Sequence, residues 1–316
     1  MKKELRIVFL GTPDFAVENL KALVEDGQNI VGVVTAPDKP VGRGRKIQEP
    51  AVKQYAKAQN LFVMQPSNLK DDAFVDELRS LNADLQIVVA FRMLPEKVWD
   101  MPKLGTFNLH ASLLPQYRGA APINWAIMNG EKETGVSTFF LQHKIDTGNI
   151  IFQEKVQISD NMNVGELHDE LMLLGAKLVV KTVHSIVEED IRETSQKDFP
   201  ENELKSAPKI FKEDCLINWE NNLDDIHNHI RGLSPYPTAW TKLNNKKLKV
   251  FKSIKIEETH DKQIGEIVSD KKNFFKIAVN SGFIQIEELQ LEGKKRMIIK
   301  DFLRGFQNTE LPQVIA

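Results

Sequence analysis

The sequence is poor in cysteine, since Cys215 is the only one among 316 residues. A single cysteine excludes an internal disulfide and a metal site built from several cysteines, and we expect it to be a half-buried thiol. Long apolar runs are also missing, because none approaches the roughly 18 residues that a membrane-spanning helix needs. The N-terminal residues 1–15 have a short apolar run, then Gly-Thr-Pro-Asp and no small-residue cleavage site. They predict a first strand instead of a signal peptide, and we expect a cytoplasmic protein.

The chain also lacks a large excess of charge of one sign. Its 42 basic and 44 acidic side chains leave a net charge of −2, which favours no class of partner for the chain as a whole. The charge is uneven, because the part before residue 208 has more acidic side chains and the part after it more basic ones. This mild basicity hints at an anionic partner of the C-terminal part without establishing one.

Common motifs for phosphates and metals are absent as well. Residues 37–46 lack the spacing of a Walker loop, and Gly11 does not begin a dinucleotide-binding fingerprint. No cluster of His, Cys and Asp has the spacing of metal ligands. His227 and His229 lie two apart on a predicted helix, where they face different directions and are poor joint ligands. The sequence therefore offers no metal site.

What the first half does contain is an alternation of strands and helices. Amphipathic stretches such as 14–27 and 71–82, with apolar residues three and four apart, separate the apolar runs. Near-continuous apolar runs, typical of strands covered on both faces, occupy 5–11, 29–36, 61–65 and 83–91, and further strands are predicted at 106–110 and 133–142. A longer helical pattern covers 163–190. This order predicts an α/β domain with a Rossmann-like, mostly parallel sheet.

The sequence pattern changes near residue 191. Residues 191–208 are polar, contain two prolines and lack periodicity, so they are interpreted as a linker. Short alternating strand-like runs follow, punctuated by Gly and Asn-Ser, which is typical of a small β-barrel. We therefore predict a catalytic domain over 1–190, a linker over 191–208 and a smaller OB-like β-barrel domain over 209–316.

Asn108 and His110 stand where the predicted strand 106–110 ends. Ligands of open α/β sheets bind at the carboxyl ends of the strands, and residues two apart on a strand project to the same side. A carboxamide suits hydrogen bonding to an oxyanion, and an imidazole suits proton transfer. A lone histidine is more often structural, but its pairing with Asn108 at a strand end favours a catalytic role.

Asp146 follows the predicted strand 133–142, within an Asp-Thr-Gly segment. Asp before Thr-Gly is common in turns, so a purely structural role is one reading. The other is a carboxylate that orients His110 and stabilises its charge, as catalytic histidines often require. Sequence spacing leaves both readings open.

Residues 37–46, PDKPVGRGRK, combine two glycines with three cations, Arg43, Arg45 and Lys46. They form either a solvated surface loop or a flexible basic arm that grips a polyanion.

One run of residues resembles a known family. FNLHASLLPQYRGAAPINW (107–125), followed by ETGV and IDTGNI, is similar to the sequences of folate-dependent formyltransferases. The resemblance implies transfer of a formyl group from 10-formyltetrahydrofolate, a co-substrate, to an amine. The formyl group moves intact, so neither a metal, a nicotinamide nor a permanently bound cofactor is implied. Carried over to this chain, the implied catalytic residues are Asn108, His110 and Asp146, and the implied folate contacts are Ser112, Leu113, Leu114 and Pro115.

Within that family, the chain looks most like the members that formylate methionyl initiator tRNA. The N-terminal LRIVFLGTPDFA, the loop 37–46 and the C-terminal β domain carry this likeness. It implies that Arg43, with Arg45 and Lys46, approaches the tRNA acceptor end, and that the domain 209–316 binds tRNA. Neither a membrane nor an obligate protein partner is implied.

The chain departs from the family pattern at one place. Residues 91–95, Phe-Arg-Met-Leu-Pro, replace a Tyr-Gly and a longer link to the Leu-Pro. By resemblance this segment, which includes Arg92, belongs to the wall of the pterin pocket.

Three other functions fit part of the pattern. Sugar-nucleotide N-formyltransferases share the catalytic residues and the Leu-Leu-Pro run, but they generally lack the Gly-Arg-Gly loop. A hydrolase of formyltetrahydrofolate would carry a different N-terminal domain. A non-catalytic RNA-binding protein with a small barrel would not need Asn108, His110 and Asp146 together.

Overall fold

The computed structural model describes residues 4–41, 46–197 and 199–305, and these form two compact units. The first unit contains the described residues up to Gly119, together with Gly135–Val156 and His168–Lys205. The second contains Ala120–Thr134, Gln157–Leu167 and the described residues from Ser206 onward. The domain boundaries at 190 and 208 stay predictions.

The chain folds into the following elements. Up to residue 128 they are β1 (Ile7–Gly11), α1 (Asp14–Glu25), β2 (Ile30–Val34), β3 (Lys39–Val41), β4 (Lys46–Gln48), α2 (Ala51–Ala58), β5 (Val63–Met64), α3 (Asp72–Ser80), β6 (Leu85–Val89), α4 (Glu96–Trp99), β7 (Thr106–His110), β8 (Arg118–Gly119) and α5 (Pro122–Met128). The next are β9 (Glu133–Phe140), β10 (Ile150–Gln157) and α6 (Val164–Val187). The last are β11 (Ser206–Ala207), α7 (Leu223–Gly232), β12 (Ala239–Leu243), β13 (Lys246–Glu257), β14 (Ile267–Ser269), β15 (Phe275–Val279), β16 (Gly282–Leu291), β17 (Met297–Ile298) and α8 (Ile299–Arg304), with 3-10 turns at Glu201–Glu203 and Glu213–Cys215.

A seven-stranded sheet in the order β10-β9-β7-β6-β1-β2-β5 forms the framework of the first unit. The strand pairs β1–β2, β1–β6, β2–β5 and β6–β7 are parallel, and β7–β9 is antiparallel. Every residue of β1 and β6 is buried, as expected where helices cover both faces of a parallel sheet. The predicted Rossmann-like, mostly parallel sheet is therefore confirmed.

Large side chains of the sheet fill its core. Phe9, Phe107 and Phe139, from three different strands, are fully buried. Helix α3 packs its Phe74 and Leu78 into one apolar cluster with residues of β1 and β6. Its first turn is capped by Asp71, whose carboxylate accepts a hydrogen bond from the amide of Ala73, which satisfies one of the free N–H groups of a helix start.

The second unit is built on an antiparallel sheet in the order β12-β13-β16-β15-β14, with β17 beside β16. Its inward side chains, including Phe275, Ile284 and Leu289, form one buried cluster with Ile226 and Ile230 of α7. The alternation of buried and exposed residues along β13 follows from the pleat of a strand with one covered face. This sheet agrees with the predicted small β-barrel.

The segment predicted as a linker makes specific contacts inside the first unit. Thr194 pairs with Ile150 in an isolated antiparallel bridge, and Gln196 is buried. Polar composition and a lack of periodicity do not reveal such contacts, because single buried polar residues leave no repeating pattern.

Candidate active site

Strand β7 carries two of the three predicted catalytic residues to its carboxyl end. It lies between β6 and β9, where Asn108 stands opposite Val88 on one side and Phe139 on the other. Asn108 is half-buried, and the His110 side chain is only 7% exposed. Because Asn108 and His110 are two apart on a strand, their side chains project to the same face of the sheet.

The contacts of His110 identify the ring atom that is available for chemistry. Nε2 lies 2.8 Å from the carbonyl oxygen of Tyr117. A carbonyl only accepts hydrogen bonds, so we assign the proton of the neutral ring to Nε2, which leaves the lone pair on Nδ1. The edge-to-face contact with Phe139, at 6.5 Å between ring centroids, packs the ring from the side. These contacts hold the imidazole in one orientation.

Asp146 lies beside the free nitrogen of this ring. Its Oδ2 is 3.9 Å from His110 Nδ1 and accepts a hydrogen bond of 3.0 Å from the amide of Gly119. The backbone of Asp146 is left-handed, with φ of +53°, a conformation that Asp adopts more readily than most residues. Asp146 is therefore both a turn residue and the carboxylate that faces His110. An anion at this distance stabilises an imidazolium ring.

Gly148 allows the loop of Asp146 to lie against strand β9. A Cβ atom at Gly148 would stand 1.6 Å from the carbonyl oxygen of Phe140, so only glycine fits. On its other side the loop is held by the carboxamide of Gln196, which hydrogen-bonds the carbonyl groups of Asp146 and Gly148.

The Leu-Leu-Pro run is fastened to the sheet by Ser137. The Ser137 hydroxyl donates to the carbonyl of Ser112 at 2.6 Å and accepts from the amide of Leu114 at 3.1 Å. Gln153 adds two bonds from Nε2, to the Ser137 hydroxyl at 2.8 Å and to the Leu114 carbonyl at 2.9 Å. These bonds use the one proton and both lone pairs of the Ser137 hydroxyl, so the run is rigidly placed.

The four predicted folate contacts differ in what their side chains can offer. Ser112, Leu114 and Pro115 are buried, and the Ser112 hydroxyl is already bonded to the carbonyl of Gln116 at 2.6 Å. Leu113 is half-buried. Contact with a folate at this run would therefore use the Leu113 side chain and backbone atoms, and it stays a prediction.

Arg92 makes its contacts on another segment of the first unit. Its guanidinium donates to the carbonyl groups of Pro66 and Ser67, and burial lowers the pKa of Arg92. Pro66 and Ser67 also line an open cavity of about 600 Å³ that extends to the first turns of α3. None of the predicted site residues whose side chains the structure describes lines this cavity. Arg92 thus anchors the segment 91–95 to residues 66–67.

The segment 37–46 was predicted as a loop, and its ends pair as the two short antiparallel strands β3 and β4, with Lys39 opposite Gln48. Asp38 precedes β3, and hydrogen bonds from Gln65 and Lys53 lower its pKa. Arg43 and Arg45 lie outside the described residues. Lys46 begins β4, and its backbone alone is described.

Several residues around His110 were not identified from the sequence: Tyr117, Ser137, Gln153 and Gln196. Ser137 had one weak local signal, because it is a polar residue in a buried stretch of β9 and a buried hydroxyl requires a partner, but Thr134 and Thr138 of the same strand share that signal. Gln153 and Gln196 had none, since their partners are distant in the chain, and Tyr117 contacts His110 through its backbone carbonyl, which its residue type does not reveal.

The described residues contain no group of three or more His, Cys, Asp or Glu side chains that could hold a metal ion. Within the same ranges, no helix has the length and apolar character needed to cross a membrane.

The chain is similar to known proteins over nearly its whole length. The methionyl-tRNA formyltransferase of Bacteroides thetaiotaomicron is 58% identical over 314 residues, which cover 97% of this chain and 98% of the relative. The enzyme of the same name from Flavobacterium johnsoniae is 53% identical over 307 residues, 96% of each chain.

Solved structures share the fold at lower identity. An N-formyltransferase from Helicobacter canadensis, in complex with folinic acid and dTDP-3-aminofucose, matches with a TM-score of 0.68 at 21% identity, over 93% of this chain and all of its own. HypX from Aquifex aeolicus, in complex with tetrahydrofolic acid, matches with a TM-score of 0.66 at 18% identity, over 98% of this chain and 49% of its own.

Two family models cover most of the chain. The model described as formyl transferase matches residues 5–183, and the one described as formyl transferase, C-terminal domain, matches residues 209–307. Together with the relatives more than 50% identical, these matches lead to one conclusion: the chain belongs to the formyl transferase family.

Proposed function

We propose that this chain transfers the formyl group of 10-formyltetrahydrofolate to the α-amino group of methionine esterified to initiator tRNA. Relatives more than 50% identical over nearly the full chain carry the name methionyl-tRNA formyltransferase, which supports this acceptor. The reaction supplies formylmethionyl-tRNA for translation initiation, and we place it in the cytoplasm.

The observation that carries the proposal is the pair of His110 and Asp146. The Nε2–H of His110 is bonded to a carbonyl and its Nδ1 faces Asp146 Oδ2 at 3.9 Å. Nδ1 of His110 can therefore accept a proton, and the Asp146 carboxylate can stabilise the resulting positive charge.

In this mechanism the methionyl nitrogen attacks the formyl carbon. A C–N bond forms, the carbonyl electrons move to oxygen, and the attacking nitrogen becomes positively charged. Nδ1 of His110 accepts a proton from that nitrogen, directly or through one water, and Asp146 stabilises the imidazolium. The electrons on the oxygen then re-form the carbonyl while the bond from the formyl carbon to N10 of the folate breaks. The electron pair of that bond leaves with N10, which takes the proton from His110, so that tetrahydrofolate leaves neutral at that atom.

Asn108 supports the same step by stabilising the charge that develops on the formyl oxygen. Its carboxamide, on the same face of β7 as His110, donates a hydrogen bond to the developing oxyanion. Loss of one such donor costs about 3–4 kcal/mol in comparable sites. The run 112–115 holds the folate beside these groups through Leu113 and the backbone, and the cations Arg43, Arg45 and Lys46 contact tRNA phosphates.

The direct test is a formylation assay with formyl-folate and charged initiator tRNA. We expect His110→Ala and Asp146→Ala each to lower kcat by roughly 100-fold or more while the variants stay folded by circular dichroism. Near-normal turnover in either folded variant would overturn the catalytic assignment. Turnover only with an amino-sugar nucleotide would overturn the acceptor, and no turnover by the unmodified chain would overturn the function.

The first unit contains a matched control for these substitutions. His184 Nε2 lies 2.6 Å from Asp26 Oδ2 on the surface of the same unit. His184→Ala and Asp26→Ala also break a His–Asp pair, and we expect them to leave turnover unchanged.

For the basic segment, Arg43→Ala should weaken reaction with methionyl-tRNA more than reaction with a small amine acceptor. Equal losses would mean that Arg43 does not contact tRNA.

A further inference from the structure

Gln196 lies outside the recognised run and hydrogen-bonds the loop that carries Asp146. It comes from the polar segment after α6, yet its side chain is only 3% exposed. Its Nε2 donates to the carbonyl of Gly148 at 2.6 Å and to that of Asp146 at 3.1 Å. Its Oε1 accepts from Nε and a terminal nitrogen of Arg118, at 3.1 and 2.8 Å. Both ends of the amide are therefore bonded.

These bonds join the two segments that contact the catalytic pair. Arg118 lies between Tyr117, whose carbonyl accepts from His110, and Gly119, whose amide donates to Asp146. On the other side, Gln196 holds the backbone of Asp146 itself. The amide thus fixes the Asp146 loop against the segment that orients the His110 ring.

The Asp146 loop needs such an outside support. The neighbouring residues 143–145 are exposed, with Ile145 58% exposed, and Asp146 has a left-handed backbone. Such conformations persist only where surrounding contacts enforce them. Gly148 packs against β9 on one side, and Gln196 supplies the hydrogen bonds on the other.

We infer, on the basis of the proposed function, that Gln196 is a positioning residue for the reaction: it holds Asp146 at the distance from His110 at which the carboxylate stabilises the imidazolium. The task requires an amide. It must donate to two carbonyl groups and accept from a guanidinium at once, which neither a carboxylate nor an aliphatic side chain does.

The test uses two variants of the full chain and one control. Gln196→Leu removes both sets of bonds, and Gln196→Glu keeps the shape and the Arg118 contact but removes the two donated bonds. We expect each to lower kcat by about 10- to 100-fold, the scale expected for a misplaced catalytic group, with KM for both substrates nearly unchanged. The control is Gln86→Leu, because Gln86 is also fully buried but bonds Thr106 near the amino end of the strand pair β6–β7. Because the Nε2 of Gln86 is buried without a hydrogen-bond partner, Gln86→Leu should change the melting temperature little and leave kcat within about twofold of the original.

A double-mutant cycle separates positioning from a general loss of structure. In single-turnover assays with excess enzyme, Gln196→Leu should cost little in a chain that already carries Asp146→Ala, because the residue to be positioned is gone. An equal loss in both backgrounds, or an unchanged kcat in Gln196→Leu, would overturn the inference.

A crystal structure of Gln196→Glu gives a readout independent of turnover: an unmoved Asp146 carboxylate would also overturn it. If the unmodified chain forms no formylmethionyl-tRNA, the proposed function fails and this inference with it. If the unmodified chain is active and the Gln196 variants keep its kcat, only the inference about Gln196 is contradicted and the proposed function stands.

Discussion

Gly148 illustrates how one missing side chain shapes the site. Its Cα faces the backbone of Phe140 so closely that any Cβ would overlap the carbonyl oxygen. The approach brings the Asp146 loop onto strand β9, the neighbour of the strand that carries His110. The steric need for glycine here is distinct from a need for a left-handed backbone.

We expect Gly148→Ala to lower the free energy of unfolding by about 2–3 kcal/mol, because the backbone must shift to relieve the overlap, and to lower kcat by moving Asp146. The control is Gly27→Ala, where φ is +78° and nothing lies within 4 Å of the added atom. That change should cost only about 1 kcal/mol, for the left-handed backbone, and leave kcat unchanged. Urea unfolding and steady-state kinetics of both variants check the difference, and equal kcat values in the two would contradict it.

At the scale of the element, strand β9 serves two purposes through its two faces. Ser137 points to the run 112–114, and the next residue, Thr138, points the other way to Thr182 of α6, with 2.9 Å between the hydroxyl oxygens. Successive residues of a strand face opposite sides of a sheet. One strand therefore places the Leu-Leu-Pro run on one face and holds the long helix on the other.

This alternation allows a matched pair of substitutions on one strand. Ser137→Ala leaves the Ser112 carbonyl and the Leu114 amide without their partner, an unsatisfied pair that costs about 1–3 kcal/mol, and should raise KM for formyl-folate several-fold. Thr138→Val removes a hydroxyl of similar burial from the opposite face, and we expect it to lower the melting temperature with KM unchanged. Rate measurements at varied formyl-folate concentration give KM for both variants. A similar rise in KM in Ser137→Ala and Thr138→Val would contradict the assignment of the two faces.

At the scale of the whole molecule, the second compact unit buries a histidine whose pKa is lowered. In the second unit, His227 is buried between Ser253 and the carbonyl of Asp160, with hydrogen-bond distances of 3.0 and 3.3 Å. Burial, and then the charge of Arg231, lower the pKa of His227 to about 4. Lys255 also lowers this pKa and Asp224 raises it.

This pKa predicts acid sensitivity of the second unit. The unfolded chain binds a proton at His227 near pH 6.5, whereas the folded chain resists it down to about pH 4. Stability is therefore fully present above pH 6.5 and is lost as the pH falls towards 4, by roughly 2 kcal/mol at pH 5. Urea unfolding followed by tryptophan fluorescence at pH 7 and pH 5 measures this loss. His227→Gln, which keeps a polar side chain, should show a smaller loss, and an equal loss would rule out His227 as the cause.

The fold was predictable to the extent that burial repeats along the chain. Runs such as residues 5–11 and 83–91 became the buried strands β1 and β6, because strands covered on both faces are apolar throughout. The pair of Asn108 and His110 was predictable because two residues on one strand share a face. The role of Gln196 was not predictable, because it depends on hydrogen bonds to Arg118, Asp146 and Gly148. No repeating pattern in the sequence links Gln196 to these residues.

By itself the sequence determined the succession of strands and helices along the chain, the mostly parallel sheet, the polar pair at the end of β7 and, through resemblance, the chemical family. Those properties are local or periodic, so they can be predicted from residues that are close together in the chain. The tertiary structure alone decided which nitrogen of His110 is free, that Asp146 is its neighbour as well as a turn residue, and which residues hold that loop. Hydrogen bonds between segments that are 50 or 78 residues apart in the chain depend on three-dimensional position, and only the folded chain supplies it.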